Sequence, residues 1–335
     1  MSKFTAVRLS ARTYPIGDIE REVLAQADIE LIGIEGQEPD EIVSAARDAD
    51  ALMVISSRVP GTVIDELRKC RVIARMGAGT DKIDIAAATR RGIVVTNVPD
   101  FCINEQAEHT LMLLLAFERK LPYMTDAMRR GFWTARSHPE VHRVAGQTLG
   151  LIGFGASAQA VAQRAAAFGL RVVACVRNPE KYATVAKQRG VQLVSFDELL
   201  ATSDYISLHV PLTPETRGML DANRIRQMKP TAVLINTARG ALVDESALTV
   251  ALQERKIRGA ALDVFEQIDV FAEPGDPPAH PLLELDNVIL TPHCAGSSVE
   301  SGVESQQRGT RNLVDVLNGR RPKHVVNPEV YDVLD

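Results

Sequence analysis

Little in this chain of 335 residues points to a metal, a disulfide, a nucleic acid or a membrane. Its four cysteines, Cys70, Cys102, Cys175 and Cys294, show neither metal-ligand spacing nor a disulfide framework. No metal is expected, and a reducing cytoplasm is the simplest setting. His138 and His142 stand at the spacing of helical metal ligands, but Pro139 interrupts a regular helix there and no third ligand is evident, so they read as loop residues. Excess positive charge is also missing. A formal net charge of -5 and a pI near 5.9 exclude the concentrated basic footprint of a nucleic-acid binder. Long apolar runs are absent as well: the N-terminus has no secretory core, and the most apolar stretch, Leu111 to Phe117, reads as a buried helix rather than a span.

What is present is the make-up of a globular protein, 45% hydrophobic and 24% charged, with length for two ordinary domains. The first hundred residues alternate strand-like and helix-like segments. Ala6 to Leu9, Ile29 to Ile32, Ala51 to Ile55, Val72 to Met76 and Ile93 to Val95 read as strands, with helices at Asp40 to Arg47 and Gly61 to Cys70. A long apolar helix then covers Asn104 to Phe117, and Arg119 to Arg136 reads as a more exposed helix and loop. A second series gives six strands, near Leu149, Val172, Tyr205, Val233, Ala260 and Val288, before a final helix at Val299 to Leu317. Alternation of this kind implies parallel sheets with helices on both faces. The expected fold is α/β, with two doubly wound parallel-sheet domains. A Rossmann cofactor domain, 104–296, is inserted in a discontinuous flavodoxin-like substrate domain, 1–103 and 297–335, with a hinge and a cleft that closes on substrate.

The run Leu149-Gly150-Leu151-Ile152-Gly153-Phe154-Gly155-Ala156-Ser157 enters an alanine-rich helix. Gly153 and Gly155 suit the tight turn and the close backbone approach that a dinucleotide pyrophosphate needs, and Ala156 and Ser157 open the helix whose N-terminus favours its charge. A further absence refines this reading. The next strand ends Cys175-Val176-Arg177-Asn178-Pro179, without the Asp or Glu that accepts the ribose 2′-hydroxyl of NAD. Arg177 in that place suits a 2′-phosphate, so NADP is the expected cofactor, with NAD the alternative.

Four further segments fall at the strand ends of this sheet, the edge where open α/β sheets bind ligands. They are His209-Val210-Pro211 with Thr216, Asn236-Thr237-Ala238-Arg239-Gly240, Asp263-Val264-Phe265-Glu266, and Thr291-Pro292-His293-Cys294-Ala295-Gly296. Together with Gly77-Ala78-Gly79-Thr80-Asp81 and Ala107-Glu108-His109, they give the chain a resemblance over nearly its whole length to the D-isomer-specific 2-hydroxyacid dehydrogenases, the family of phosphoglycerate dehydrogenases and glyoxylate or hydroxypyruvate reductases.

The resemblance implies hydride transfer between NADP(H) or NAD(H) and a 2-oxo or D-2-hydroxy acid. Arg239 is expected to clamp the substrate carboxylate and carbonyl oxygen, a task that suits a planar guanidinium. His293 is expected as the general acid-base. Gly153, Gly155, Ala156, Ser157, Arg177, Asn178, His209, Val210, Pro211, Thr216, Thr237, Ala238, Asp263 and Gly296 are the expected cofactor contacts. Gly77, Ala78 and Gly79 resemble the loop whose amides meet the carboxylate, and Arg75 either reads a charged substrate tail or is a solvated strand-end residue. His109 reads as a packed or capping residue, and Phe132 and Trp133 as packing at a hinge or subunit contact.

One segment departs from the family. Members read Asp-Val-Phe-Glu-x-Glu-Pro, whereas Ile268 here occupies the slot of the carboxylate that orients the histidine. A short insertion after Gln267 restores the pair as Glu273-Pro274, which makes Glu273 the expected partner of His293 and Asp269 its rival. An inactive enzyme, or a cofactor-sensing binding protein like the C-terminal-binding corepressors, is the alternative, and the lack of a long disordered tail favours the enzyme. No added regulatory domain is expected, so serine feedback is not. A homodimer is, through Asn104 to Arg136. Which 2-oxo acid is used stays open.

Overall fold

The computed structural model describes residues 3–132, 139–268, 270–271 and 275–334. The chain opens β1 (Phe4–Arg8), α1 (Asp18–Gln26), β2 (Ile29–Gly33), α2 (Pro39–Ala46), β3 (Ala51–Val54), α3 (Gly61–Glu66), β4 (Val72–Arg75), α4 (Ile85–Arg90) and β5 (Val94–Thr96). It continues α5 (Ile103–Glu118), α6 (Leu121–Arg129), β6 (Thr148–Ile152), α7 (Ala156–Ala167), β7 (Arg171–Cys175), α8 (Pro179–Gln188), β8 (Gln192–Leu193), α9 (Phe196–Thr202) and β9 (Tyr205–Leu208). After α10 (Ala222–Ile225), β10 (Val233–Asn236), α11 (Glu245–Gln253), β11 (Gly259–Leu262) and β12 (Val288–Leu290), it ends with α12 (Val299–Leu317) and α13 (Tyr331–Leu334). Two compact units result, Met1–Cys102 with Ser297–Asp335, and Ile103–Gly296.

The first unit is a parallel sheet in the order β2-β1-β3-β4-β5. Side chains alternate across a strand, and the two faces receive different partners. Val7, Leu52, Ile73 and Val95 pack with Ile42 of α2, Val63 and Ile64 of α3, and Ala87 and Ala88 of α4. Ala6, Met53, Val72 and Val94 face the other way, onto Leu24 of α1 and Leu313, Val316 and Leu317 of α12. Burying each of these larger aliphatic side chains stabilises the unit by roughly 1.5–3 kcal/mol. Helix α3 stops four residues short of the Cys70 that the sequence suggests, because the Arg68 amide leaves the helix to bond the Arg47 carbonyl at 2.7 Å.

The second unit holds seven parallel strands in the order β12-β11-β10-β9-β6-β7-β8. Six strands were expected from the apolar pattern. The seventh, β8, has only two residues, Gln192 and Leu193, too short a run to read as a strand by itself. Leu149, Leu151, Val172, Val233 and Ile235 pack under α5 and α7, whereas Ile152, Ile206, Leu208, Leu234 and Leu262 pack under α9, α10 and α11. Chain order reverses between β6 and β9, so the crevice beyond their C-terminal ends is the topological switch point where such sheets take ligands. Several helices are started by side-chain caps: Asp84, Ser195, Asp221, Asp244 and Ser298 each accept a first-turn amide. Among the described residues, no helix is long and apolar enough to cross a membrane.

Helix α5 ends on a buried carboxylate. Glu118 accepts the Tyr205 hydroxyl at 2.5 Å, Arg258 at 2.7 and 3.2 Å, and the His142 amide at 2.9 Å. Burial alone would raise its carboxyl, but the Arg258 and Tyr205 bonds outweigh it and hold Glu118 below the usual range. This network anchors α5 to the starts of β9 and β11, and the opposite ends of the same strands carry the candidate site.

Candidate active site

At the end of β6 the chain turns through Gly153, whose φ of 97° lies in the region that side chains avoid. A Cβ there would also stand 2.4 Å from the His209 carbonyl oxygen, so the turn demands glycine twice over. Gly155 is different. It is the N-cap of α7, has ordinary φ, and a Cβ added to it would meet nothing within 4 Å. No side chain caps α7, so the first-turn amides of Ala156 and Ser157 are left for a ligand or solvent. A bare helix N-terminus behind an open glycine fits the pyrophosphate of a dinucleotide.

His209 backs this turn. Its Nδ1 lies 3.1 Å from the Ser157 hydroxyl and its Nε2 2.9 Å from the Ser207 hydroxyl. With both nitrogens engaged, burial pushes the imidazole down to about 4, and it is neutral at working pH. Val210 packs against Gly153, and the Thr216 hydroxyl donates to the Pro211 carbonyl at 2.8 Å and accepts the Thr213 amide at 2.8 Å. Across the edge, Arg177 is exposed at the end of β7, and Asn178 caps α8 by accepting the Lys181 amide at 3.3 Å. The Thr213 hydroxyl foremost, and the Arg177 guanidinium further off, hold Glu215 below the usual carboxylate range.

The end of β10 is knotted by Asn236, a side chain 1% exposed. Its Nδ2 donates to the Arg239 carbonyl at 2.8 Å and its Oδ1 accepts the Ala238 amide at 3.0 Å. The Arg239 Nη1 donates to the Ala238 carbonyl at 2.7 Å. Thr237 turns inward, its hydroxyl 3.1 Å from that of Thr110 on α5. Gly240 then passes so close to the Phe265 backbone that a Cβ would stand 2.1 Å from its carbonyl carbon, which brings the Arg239 turn and the β11 loop into contact. Glu245, buried below, accepts the Glu266 and Gln267 amides at 2.8 and 3.2 Å and pairs with His280 at 3.1 Å.

Asp263 organises the remaining corner. Its Oδ1 accepts the Thr291 hydroxyl at 2.6 Å and the Cys294 amide at 2.9 Å, its Oδ2 accepts the Ala295 amide at 2.8 Å, and its own carbonyl accepts the His293 amide at 2.8 Å. Burial would raise this carboxyl, but bonds from His109, Thr291 and the two amides prevail and keep it below its usual range. The loop from Thr291 to Ala295 thus wraps one carboxylate and carries His293 at a φ of 55°. The ring of Phe271 lies 5.1 Å from that of His293. His109 reaches in from α5, 2.9 Å from the Thr291 hydroxyl and 3.4 Å from Asp263 Oδ1. His109, Asp263 and Cys294 offer atoms within 4.8 Å of one another, as a divalent cation would require, yet each is already engaged in this hydrogen-bonded cluster.

In the second unit, then, one sheet edge collects the glycine turn, His209, Arg239, Asp263 and His293. Glu273 and Asp269, the two expected partners of His293, lie outside the described residues, as do His138 and Trp133. Within the first unit, the loop after β4 is tied down by its neighbours. Arg75 Nε donates to the Gly79 carbonyl and Asn97 Nδ2 to that of Ala78, both at 2.8 Å, while the Val98 amide reaches the Gly77 carbonyl at 3.0 Å. Glu245 and Thr110 have no place among the expected site residues, Asn236 and Thr291 stood in the expected strand-end segments without a role of their own, and His109 is neither mere packing nor a cap. The signal that could have found them is polarity at buried positions, since a buried polar side chain must find a partner.

Comparison with known proteins agrees with this geometry. Residues 111–295 match the family described as D-isomer specific 2-hydroxyacid dehydrogenase, NAD binding domain. A D-3-phosphoglycerate dehydrogenase of Methanocaldococcus jannaschii is 42% identical over 294 residues, 87% of this chain but 54% of that protein, so the chain spans about half the length of this relative. A glyoxylate reductase of Korarchaeum cryptofilum is 38% identical, with 87% of each chain covered. Among solved structures, an NADPH-dependent glyoxylate/hydroxypyruvate reductase from Sinorhizobium meliloti, in complex with NADP and malonate, superposes with a TM-score of 0.84 at 30% identity over 97% of both chains.

Proposed function

The chain belongs to the D-isomer specific 2-hydroxyacid dehydrogenases, oxidoreductases that move a hydride between NAD(P)(H) and a 2-oxo or D-2-hydroxy acid, and from that premise we propose that it reduces a small 2-oxo acid with NADPH. The observation that carries the reading is the shared sheet edge, where the Asn236-knotted Arg239 follows β10 and the Asp263-wrapped His293 follows β12, with β11 and its Asp263 between them. Arg239 binds the carboxylate and polarises the carbonyl oxygen, because its fork of donors matches both oxygens at once. His293 gives that carbonyl oxygen its proton in reduction and removes it in oxidation. Glu273 is the proposed partner that orients the His293 ring. In the first unit, Gly77-Ala78-Gly79 supplies amides to the substrate, and Arg75 braces that loop.

Gly153, Gly155 and the amides of Ala156 and Ser157 hold the pyrophosphate, and Arg177 with Asn178 meets the 2′-phosphate. His209, Val210, Pro211, Thr216, Thr237, Ala238, Asp263 and Gly296 complete the dinucleotide pocket as wall or support. When bound, the nicotinamide supplies the hydride. Arg177, exposed at the strand end where an acid would select NAD, supports this choice of cofactor over NADH. A homodimer through α5 and α6 is supported by α6, which buries none of its residues and exposes Leu121, Tyr123 and Met128 beside Met112 and Phe132. The four cysteines form no disulfide among the described residues, which suits the proposed cytoplasmic setting.

The test is a panel of initial rates with NADPH and NADH against glyoxylate, hydroxypyruvate, phosphohydroxypyruvate and larger 2-oxo acids. Turnover of at least one acid with an NADPH preference is expected. No turnover with any of them would sink the proposal in favour of a cofactor-sensing binding role.

A further inference from the structure

His109 and Thr110 are adjacent on α5, yet they reach the two different loops that carry the reacting side chains. Thr110 meets Thr237, two residues before Arg239, with hydroxyls 3.1 Å apart and both side chains buried. His109 meets Thr291, two residues before His293, at 2.9 Å. The polarity of this second contact is fixed by Asp263. A carboxylate only accepts, so the single hydroxyl proton of Thr291 is committed to Asp263 Oδ1 at 2.6 Å. The Thr291 oxygen must therefore accept from His109, which fixes a proton on His109 Nε2. The same N–H faces Asp263 Oδ1 at 3.4 Å. A one-way line of donors runs from α5 into the carboxylate whose oxygens and carbonyl hold the amides of His293, Cys294 and Ala295.

We propose that His109 is a positioning residue for the reaction: its Nε2–H, through Thr291, holds Asp263 in the one orientation that lets the loop present the His293 imidazole. Thr110 secures the Arg239 turn from the same helix, so α5 sets the spacing of the two reacting side chains. Two features make the helix a stiff strut. Its C-terminal end is pinned by Glu118 to Tyr205 and Arg258, and its middle is packed on the sheet through Leu111, Leu114 and Phe117. A ring at position 109 that merely filled space would need no directed donor, and an aliphatic residue would serve there.

The inference rests on the reductase reading above, and its test separates the two. In the full-length protein, His109→Leu should lower kcat by about tenfold or more while leaving the Kd for NADPH within about twofold. His109→Gln, whose amide N–H can reach the place of Nε2, should recover most of the rate, and Thr291→Val should reproduce the loss if the leucine variant fails to fold. The ring nitrogen signals of His293 in ¹⁵N NMR, assigned by their disappearance in His293→Gln, should move in His109→Leu and return in His109→Gln. A wild-type rate in His109→Leu, a glutamine variant as impaired as the leucine variant, or unmoved His293 signals would each overturn the proposal. If the wild-type chain turns over no 2-oxo acid, the reductase reading fails, and the NMR comparison still decides the role of His109.

Discussion

The buried side chain of Asn236 is folded back onto Arg239, donating to its carbonyl at 2.8 Å while accepting the Ala238 amide at 3.0 Å. The backbone turn that carries Arg239, the proposed carboxylate clamp, is therefore held by a residue that never needs to touch substrate. Asn236→Ala removes both bonds and leaves two backbone groups to find other partners, at about 1–3 kcal/mol apiece where they stay buried. The expected result is a fall in kcat/KM of about tenfold to a hundredfold from misplacement of Arg239. Steady-state kinetics on a variant verified as folded by circular dichroism checks it. A value within twofold of wild type would mean that the turn holds without its knot.

Gly153 and Gly155 are two positions apart in one motif, but they are glycine for different reasons. Gly153 combines a φ of 97° with a 2.4 Å approach to the His209 carbonyl, so Gly153→Ala should destabilise the fold itself, by about 2 kcal/mol or more. Gly155 has ordinary φ and open space where a Cβ would go. Gly155→Ala should leave the melting temperature of the unliganded protein within about 2 °C of wild type. It should instead weaken NADPH binding by about tenfold or more, because the methyl group occupies the approach to the α7 N-terminus. Thermal melts with and without NADPH separate the two outcomes.

Arg177 is exposed at the end of β7, where an acid would accept a ribose 2′-hydroxyl. A charge-assisted contact with a 2′-phosphate is worth about 1.5–3 kcal/mol. Arg177→Asp should thus lower the NADPH/NADH ratio of kcat/KM by about tenfold to a hundredfold, mainly through KM for NADPH. An unchanged ratio would remove Arg177 from the cofactor site.

Much of the architecture was legible because buried parallel strands are written as short apolar runs. Val72, Ile73 and Ala74, or Val233, Leu234 and Ile235, announce themselves without any structure. Strand β8 was not legible, because a two-residue edge strand has no such run. Arg239 and His293 were proposed from motif context, whereas the groups that hold their loops were not. Asn236 looked like the last residue of a strand, and His109 like packing on an apolar helix. Their roles depend on which strand lies beside which, and a period in one segment says nothing about a partner 182 residues away, as His109 and Thr291 are. The family comparison strengthens the reading of the reaction class, while those supporting contacts come from the fold alone.

His209 should make the protein acid-sensitive in a window of its own. An unfolded histidine titrates near 6.5, whereas burial holds His209 down to about 4 in the folded protein. Between these values the unfolded chain binds the extra proton, so stability is at its full level above about pH 6.5 and falls as the pH drops toward 4. The whole interval corresponds to about 3 kcal/mol. Glu118 and Asp263 act lower down. Both are held below the usual carboxylate range, so the stability they contribute is lost only as the pH falls below about 4, through their folded values. His209→Gln keeps a donor and an acceptor for Ser157 and Ser207 but takes up no proton. Urea unfolding of wild type and His209→Gln at pH 7, 5.5 and 4.5 should therefore show a steeper loss for wild type over this range, with the curves parallel below it. Parallel behaviour from pH 7 downward would mean that His209 is protonated in the folded chain, and that its two serine contacts do not hold the ring neutral.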